Sequence, residues 1–161
     1  MAKNFLEQLI AEWYELQGYF IRKNVLVGKR PKGGYECELD VVAFNPEKKH
    51  IIQIEPSTDA YSWSKREQRY KKKFKAGKKH IPQLFRGLDI PKKIEQVALF
   101  GAVKRTSHKK IAGARIMTVN ELLHEITENL KTKSTSSNAV PEYYIILRTV
   151  QYVMNSIKKT D

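Results

Sequence analysis

Two strand-like runs separated by a five-residue polar turn constrain the fold of this chain more than any other feature of its sequence. The runs are Tyr35–Phe44 (YECELDVVAF) and His50–Glu55 (HIIQIE), and Asn45–Lys49 (NPEKK) has the composition of a turn. Because both runs are rich in apolar and β-branched residues, they predict an antiparallel hairpin within a sheet that other elements cover. Pro56 is expected to end the second strand.

Two acids lie inside these apolar runs. Asp40 follows Leu39, and Glu55 follows Ile54 at the end of the next strand. A carboxylate at the end of a core strand is costly to bury unless it is paired or binds a cation. Two carboxylates on neighbouring strands can hold Mg²⁺, which takes oxygen ligands and leaves room for a substrate phosphate. Strict alternation predicts two sets of residues on opposite faces of the first strand: Glu36, Glu38, Asp40 and Val42 on one, and Cys37, Leu39, Val41 and Ala43 on the other.

Helical and strand patterns flank the hairpin on both sides. Apolar spacings of three and four residues predict a first helix over Asn4–Gln17, and the next segment, Tyr19–Val27, has strand composition. After the hairpin, a helix is predicted from Asp59 or Ser62 to about Ala76, closed by Gly77. Two strands are predicted next, at Gln96–Val103 and Ala114–Met117. A helix capped by Thr118 or Asn120 follows, and Pro141 opens a last helix, Glu142–Lys158. This order predicts an α/β protein with a mixed central sheet flanked by helices.

The C-terminal part of the chain is expected to differ from the rest. We predict one domain over residues 1–130, a flexible connection over 131–140, where Ser, Thr and Lys accumulate, and a C-terminal helix over 141–161. This helix carries more apolar and aromatic side chains than one buried stripe needs. It is therefore expected to pack on the core or on a partner subunit, and a homodimer through this helix is predicted.

The charge balance points to an anionic partner. The chain has 30 Lys and Arg against 17 Asp and Glu, a net charge of +13, and residues 61–80 hold nine Lys or Arg against one Glu, a balance of +8. Nucleic acid is the commonest polyanion that proteins of this kind bind. The residues expected to contact it lie in the helix after Glu55 or just beyond its predicted end, and are Arg66, Arg69, Lys71, Lys72, Lys75, Lys78 and Lys79. Lys104–Lys110 is a further basic segment. The alternative for Lys71–Lys79 is a solvated face without a ligand.

Several classes of protein are excluded or disfavoured by the sequence. The apolar runs are too short for a membrane span, and the N-terminal MAKNFLEQLI has no signal-peptide pattern, so we expect a cytoplasmic protein without a membrane partner. Cys37 is the single cysteine, which excludes an intramolecular disulfide and a cysteine-based zinc cluster. The four histidines show no paired metal-ligand spacing.

The order of elements and acids resembles the restriction-endonuclease-like superfamily of PD-(D/E)xK nucleases, and within it the branch of the Holliday-junction resolvases. The resemblance covers residues 3–130 and is carried by Glu7 in the first helix, ELD at 38–40, QIE at 53–55 and GYFIRKNV at 18–25. It implies a restriction-endonuclease-like αβββαβ core with added C-terminal helices. It further implies that Asp40, Glu55 and Glu7 hold Mg²⁺ or Mn²⁺ for phosphodiester hydrolysis, with DNA favoured over RNA. The alternative for Glu7 is an ordinary exposed acid.

One position departs from the family pattern. The family has a lysine two residues after the glutamate, whereas this chain has Ser57 two residues after Glu55. In the family that lysine orients or activates the attacking water and stabilises charge. Serine cannot supply a positive charge, so either another residue supplies it or catalysis has been lost.

The helix after Glu55 is the nearest source of a substitute cation. On a helical wheel Trp63, Tyr70 and Phe74 form a buried stripe, and Arg66 and Lys73 form a flank beside it. We predict that this flank faces the carboxylates. Because lysine can tune its pKa and arginine cannot deprotonate, Lys73 is the predicted catalytic substitute and Arg66 the predicted phosphate clamp.

Three functional hypotheses follow from these observations. The first is a metal-dependent endonuclease, structure-selective or nonspecific, since no long insert for sequence recognition is present. The second is a nucleic-acid-binding protein on the same fold, with Ser57 marking an inactive site. The third is a basic RNA-associated structural protein, in which Glu7, Asp40 and Glu55 do not converge.

Overall fold

The structure is a computed structural model and describes residues 4–101 and 108–157. In chain order, the elements within these ranges are α1 (Phe5–Leu16), β1 (Phe20–Lys29), β2 (Tyr35–Asn45), β3 (His50–Ser57), α2 (Trp63–Leu84), β4 (Glu95–Phe100), β5 (Lys110–Ile111), β6 (Ala114–Thr118), α3 (Val119–Leu130) and α4 (Ile145–Ile157). The predicted hairpin is formed by β2 and β3.

The strands in the described ranges form one mixed sheet of six strands, in the order β1-β2-β3-β4-β6-β5. β1, β2 and β3 are antiparallel, β4 and β6 run parallel to β3, and β5 returns antiparallel to β6. α2 is the crossover from β3 to β4, because two parallel strands cannot be joined by a tight turn. The predicted α/β class with a mixed sheet is confirmed.

Helices cover both faces of the sheet. On one face, α1, α3 and α4 pack over Val41 and Ile52, whereas α2 packs over Val42 and Ile51 on the other face. Neighbouring residues of a strand thus point to opposite faces, as the pleat requires. The polar side chains that concern function lie mainly on the α2 side.

The alternation along β2 breaks at Asp40, so the predicted division of this strand into two faces is wrong. Leu39 packs with Val42 on the α2 side, while Val41 lies on the α1 side, so Leu39 and Val41 do not share a face. In the β1–β2 register, the position opposite Asp40 falls on Asn24, whose φ of 50° is left-handed. The change of face therefore coincides with an irregular backbone in the neighbouring strand.

Pro56 does not end β3, contrary to the prediction. The strand continues to Ser57, with Pro56 paired to Leu99 and Ser57 to Phe100 of β4. Proline is tolerated because the ladder between β3 and β2 ends at Ile54, so β2 needs no N–H from Pro56.

α2 extends eight residues beyond the predicted end at Ala76. It runs to Leu84, and Gly77 lies in its interior rather than at its C-cap. A Cβ at Gly77 would stand 1.9 Å from Gln53 Oε1. Glycine is thus required here by close packing against β3, not by the turn that its composition predicts.

Smaller differences occur toward the C-terminus. β4 ends at Phe100, and the predicted strand residues 102–103 and most of the basic segment after them lie outside the described residues. The two-residue strand β5 was not predicted. Thr118 caps α3 as expected and forms a capping box with Glu121.

α4 begins at Ile145 rather than at Glu142 and packs against α1. The buried carboxylate of Glu12 accepts hydrogen bonds from the backbone nitrogens of Ile146 and Leu147, at 3.0 and 2.9 Å. These amides would otherwise be unpaired at the start of the helix. None of the helices in the described ranges combines the length and apolar composition needed to cross a membrane.

Candidate active site

One acid from each strand of the hairpin meets a lysine from α2 on the α2 side of the sheet. Lys73 Nζ donates to Asp40 Oδ1 and to Glu55 Oε2, both at 2.5 Å. The backbone nitrogen of Asp40 lies 3.4 Å from each carboxylate oxygen of Glu55. The structure thus brings together three residues singled out in the sequence, and we refer to them as the triad.

The aromatic stripe of α2 positions Lys73. Tyr70 and Phe74 pack against Phe100 of β4, and the Tyr70 hydroxyl donates to the backbone oxygen of Glu55 at 3.2 Å. Since Lys73 flanks this stripe on the helix, anchoring the stripe over β4 directs the lysine side chain toward the neighbouring strands. The position of the lysine therefore depends on packing that also holds Glu55.

Burial controls the charge state of the triad. Glu55 is 1% exposed, and the side chains of Asp40 and Lys73 are 11% and 13% exposed. Burial, and then the negative charge of Asp40, raise the pKa of Glu55 to about 8, although Lys73 acts to lower it. Burial also acts to lower the pKa of Lys73, but Glu55 and Asp40 outweigh it and raise that pKa above its ordinary value. Lys73 is therefore charged, and Glu55 holds a proton up to unusually high pH.

Two buried glutamines support Glu55: Gln53, which the sequence named only as part of the QIE motif, and Gln96, which it did not single out. Gln53 Nε2 donates to Glu55 Oε1 at 2.8 Å and to the backbone oxygen of Lys73 at 3.2 Å. Gln96 Nε2 donates to Gln53 Oε1 at 2.7 Å and to the backbone oxygen of Phe74 at 2.8 Å. A signal was present, because Gln53 stands two residues before Glu55 and hence on the same face of a strand rich in isoleucine.

Ser57 belongs to a separate polar cluster. Its hydroxyl donates to the carboxylate of Asp59, which also accepts from Arg66 Nε at 3.3 Å and from Arg69 at 2.8 Å. Burial acts to raise the pKa of Asp59, but these donors lower it below its ordinary value. Arg66 is thus paired with Asp59, so the prediction that Arg66 and Lys73 both face the two carboxylates holds only for Lys73.

Glu7 is not part of this constellation. Its carboxylate accepts a hydrogen bond from Asn24 Nδ2 at 3.0 Å, on the exposed surface. Within residues 4–101 and 108–157, no group of three His, Cys, Asp or Glu side chains is arranged to hold a metal ion. The described residues therefore do not show the three-carboxylate group expected from Glu7, Asp40 and Glu55. Glu7 is instead held by Asn24, the β1 residue that the strand register places opposite Asp40.

The basic residues of α2 predicted to contact nucleic acid line an exposed helix face. Lys71, Lys75, Lys78 and Lys79 stand at helical spacings of four, seven and eight residues and are exposed, as is Lys72 on an adjacent row. Lys79 pairs with Glu36 at 3.3 Å. The face is positively charged along several turns of the helix.

Comparison with known proteins gives no family assignment. No protein-family model and no curated protein matches the chain. A solved structure, described as the crystal structure of protein of unknown function AF1548, covers 98% of this chain and is itself covered to 98%, with 14% sequence identity and a TM-score of 0.49. A likeness at this level carries no argument about function, so the chemistry of the site rests on its own geometry.

Proposed function

We propose that the protein is a metal-dependent phosphodiesterase acting on nucleic acid, an endonuclease of the structure-selective or nonspecific kind. The observation that carries this proposal is the triad: two carboxylates from adjacent strands and a lysine from the next helix, buried at one point. Burying such charges costs free energy that apolar residues would not cost. Strongly shifted pKa values in a buried charged cluster are typical of functional sites.

The carboxylates of the triad suit Mg²⁺ or Mn²⁺. Proteins commonly hold Mg²⁺ with one or two carboxylates, and water and substrate phosphate oxygens complete its coordination. Because Lys73 bridges Asp40 and Glu55, metal binding requires that Lys73 release at least one carboxylate and that Glu55 lose its proton. When bound, such an ion lowers the pKa of a water ligand and offsets charge on the scissile phosphate.

Lys73 supplies from α2 the positive charge that the resembled family places at the position of Ser57. Once it releases a carboxylate, its ammonium group can hold a phosphate oxygen or orient a water molecule. A lysine can also take part in proton transfer, which an arginine cannot. The exposed lysines of α2 contact the phosphate backbone without reading base sequence.

A second candidate is a nucleic-acid-binding protein without catalytic activity. The observation in its favour is that Lys73 already donates hydrogen bonds to both acidic side chains at 2.5 Å. The triad then serves as a structural ion-pair cluster, and Ser57 marks the lost family lysine. The two candidates differ in metal dependence, since binding to phosphates by lysines requires no divalent ion.

The test is cleavage of four substrates: supercoiled plasmid, a four-way DNA junction, single-stranded DNA and RNA, each with Mg²⁺, Mn²⁺ or EDTA. We expect cleavage of DNA with either metal and none in EDTA. Asp40→Asn and Glu55→Gln should abolish it. Lys73→Ala should lower the rate by about 10²-fold or more, the usual contribution of a group that assists proton transfer.

Lys72→Ala is the matched control, because Lys72 is the exposed neighbour of Lys73 and the change removes the same charge. It should weaken substrate binding slightly and leave the rate at saturating substrate unchanged. Equal, small losses for Lys72→Ala and Lys73→Ala would contradict a catalytic lysine. No metal-dependent cleavage of any substrate by the wild type would favour the inactive binding protein.

A further inference from the structure

A cleft of about 750 Å³ opens beside α2, apart from the triad. It is enclosed by the C-terminal half of α2, the segment before β4 and the β5–β6 hairpin. Glu95 of its lining pairs with Ile52 at the beginning of β3. Ile52 precedes Glu55 by three residues, or about 10 Å along a strand. The lining contains no residue of the triad.

Cationic side chains surround this cleft, which we call the basic cleft. They are Lys78, Lys92, Lys93, Lys110 and Arg115. The acidic residue of the lining, Glu95, already pairs with Arg115 at 3.0 Å and contacts His50 at 2.8 Å. The four lysines are exposed and form no ion pair with any residue that the structure describes.

The convergence of unpaired lysines on a concave surface has an electrostatic consequence. On the convex face of a helix, lysines point apart and are solvated separately. Around a cleft the electrostatic potentials of the lysines add, and the low-dielectric protein walls concentrate the field inside the cleft, where a ligand would bind. A ligand with several negative charges relieves this repulsion, and the cleft has the volume of an ordinary ligand site.

The rest of the lining narrows the choice of ligand. It includes the apolar side chains of Pro82, which is exposed, Ile94, which is half-buried, and Ala114, which is buried, and the amide nitrogen of Gln96 is already bonded to Gln53 and Phe74. An inorganic anion makes no use of these apolar side chains. A duplex presents phosphates outward and keeps its bases stacked inside, whereas a single strand presents phosphates and base faces together.

We propose that the basic cleft binds a single-stranded segment of nucleic acid, with the lysines on its phosphates and the apolar side chains of the lining against a base. No residue of the triad lines the cleft, so this binding requires no cleavage, although Gln96 of the lining connects the cleft to Glu55 through Gln53. If the triad cleaves nucleic acid as proposed above, the basic cleft binds a single-stranded arm of the nucleic acid that the triad cleaves.

The test is binding of a fluorescein-labelled twelve-nucleotide oligothymidylate, followed by fluorescence anisotropy in EDTA. The cleft variant is Lys92→Glu/Lys93→Glu/Lys110→Glu. The control variant, Lys29→Glu/Arg30→Glu/Lys32→Glu, makes the same charge change at exposed residues at the end of β1 and in the turn that follows it. Because all six residues are exposed, both variants should keep the melting temperature of the wild type.

The cleft variant should bind at least tenfold more weakly than the control variant. Its slope of log affinity against log salt should be shallower by about 2, since each lost phosphate contact of a single strand removes about 0.7. Equal losses for the two variants would overturn the proposal. A cleft variant that loses duplex binding as strongly as single-strand binding would also overturn it.

One further measurement tests free nucleotides as the ligand. ATP should displace the oligonucleotide only weakly, and displacement by ATP at concentrations below the oligonucleotide's own Kd would assign the cleft to free nucleotides instead. Because binding is measured in EDTA, where no cleavage is expected, its result is distinguishable from the outcome of the cleavage experiments.

Discussion

The carboxyl group of Glu55 is almost completely buried, so its protonation affects the free energy of unfolding. In the unfolded chain a glutamate titrates near 4.5, whereas burial and the charge of Asp40 raise the pKa of folded Glu55 to about 8. Between these values the unfolded state binds fewer protons than the folded state. The free energy of unfolding therefore falls as the pH rises through this window, by at most about 1.4 kcal/mol per pH unit.

Glu55→Gln should remove this dependence. We expect the wild type to lose stability between pH 5 and pH 8.5 in the absence of divalent ions, while the variant loses less over the same range. Urea denaturation at each pH measures both free energies of unfolding. Parallel curves for the two proteins would show that Glu55 ionises normally in the folded state.

Gly77 offers a second test at single-residue scale. In a helix interior, Gly→Ala ordinarily stabilises by about 1 kcal/mol through helix propensity. Here the new Cβ would stand 1.9 Å from Gln53 Oε1, so Gln53 must move and break its bonds to Glu55 and Gln96. Gly77→Ala should instead destabilise the protein by about 2–4 kcal/mol in urea denaturation.

The shorter variant Gln53→Ser supplies the control for this prediction. With Gln53 shortened, the added methyl group meets no amide, so Gly77→Ala should cost much less in the Gln53→Ser background than in the wild type. Additive effects of the two substitutions would mean that the glycine is needed for another reason.

At the scale of elements, a residue of one helix completes the end of another. Glu12 of α1 accepts from the first free amides of α4, at Ile146 and Leu147, from a position that is 1% exposed. A carboxylate at a helix N-terminus is also favoured by the helix dipole. The attachment of α4 to α1 thus depends on one buried acid as well as on apolar packing.

Glu12→Ala should lower the free energy of unfolding by about 2–4 kcal/mol, because it leaves the half-buried amide of Ile146 and the buried amide of Leu147 without acceptors. Glu15→Ala, one turn further along the same helix and exposed, is the matched control and should change stability by less than about 0.5 kcal/mol. Urea denaturation followed by circular dichroism measures both. Similar values for the two variants would exclude a capping role for Glu12.

At the scale of the whole molecule, net charge sets how nucleic-acid binding responds to salt. The chain carries +13, of which residues 61–80 hold +8. With six or more phosphate contacts, the affinity for duplex DNA should fall by about 10³-fold or more between 50 and 200 mM salt. Fluorescence anisotropy at four salt concentrations measures the slope, and a flat titration would remove electrostatic attraction as the main source of affinity.

The apolar surface near the C-terminus leads to a prediction about assembly. Tyr143 and Ile145 are more than two-thirds exposed, and Val153 is 53% exposed on the same helix region. A homodimer through α4 would cover these side chains. Sedimentation equilibrium at tens of micromolar protein should then give the mass of two chains, and the mass of one chain would contradict the prediction.

The sequence by itself determined the local elements and the positions of the two strand acids. The β2–β3 hairpin, α1 and the Thr118 cap are set by contacts between residues a few positions apart, and these leave a periodic signal. Asp40 and Glu55 stood out because a carboxylate inside an apolar run needs a partner. The helical wheel predicted that the cationic partner of these carboxylates comes from the side of the helix that carries Arg66 and Lys73.

Only the tertiary structure decided which side chains meet. Arg66 pairs with Asp59 rather than with Asp40 or Glu55, and Glu7 accepts a hydrogen bond from Asn24. Gly77 has the composition of a helix end but is fixed by Gln53, a residue of another element. Glu7 and Gly77 share one physical reason: contacts between residues far apart in the chain depend on sheet order and helix docking, and neither leaves a periodic pattern in the sequence. Asp59 is only seven residues from Arg66, but it lies in the irregular segment between β3 and α2, whose conformation no periodic pattern fixes.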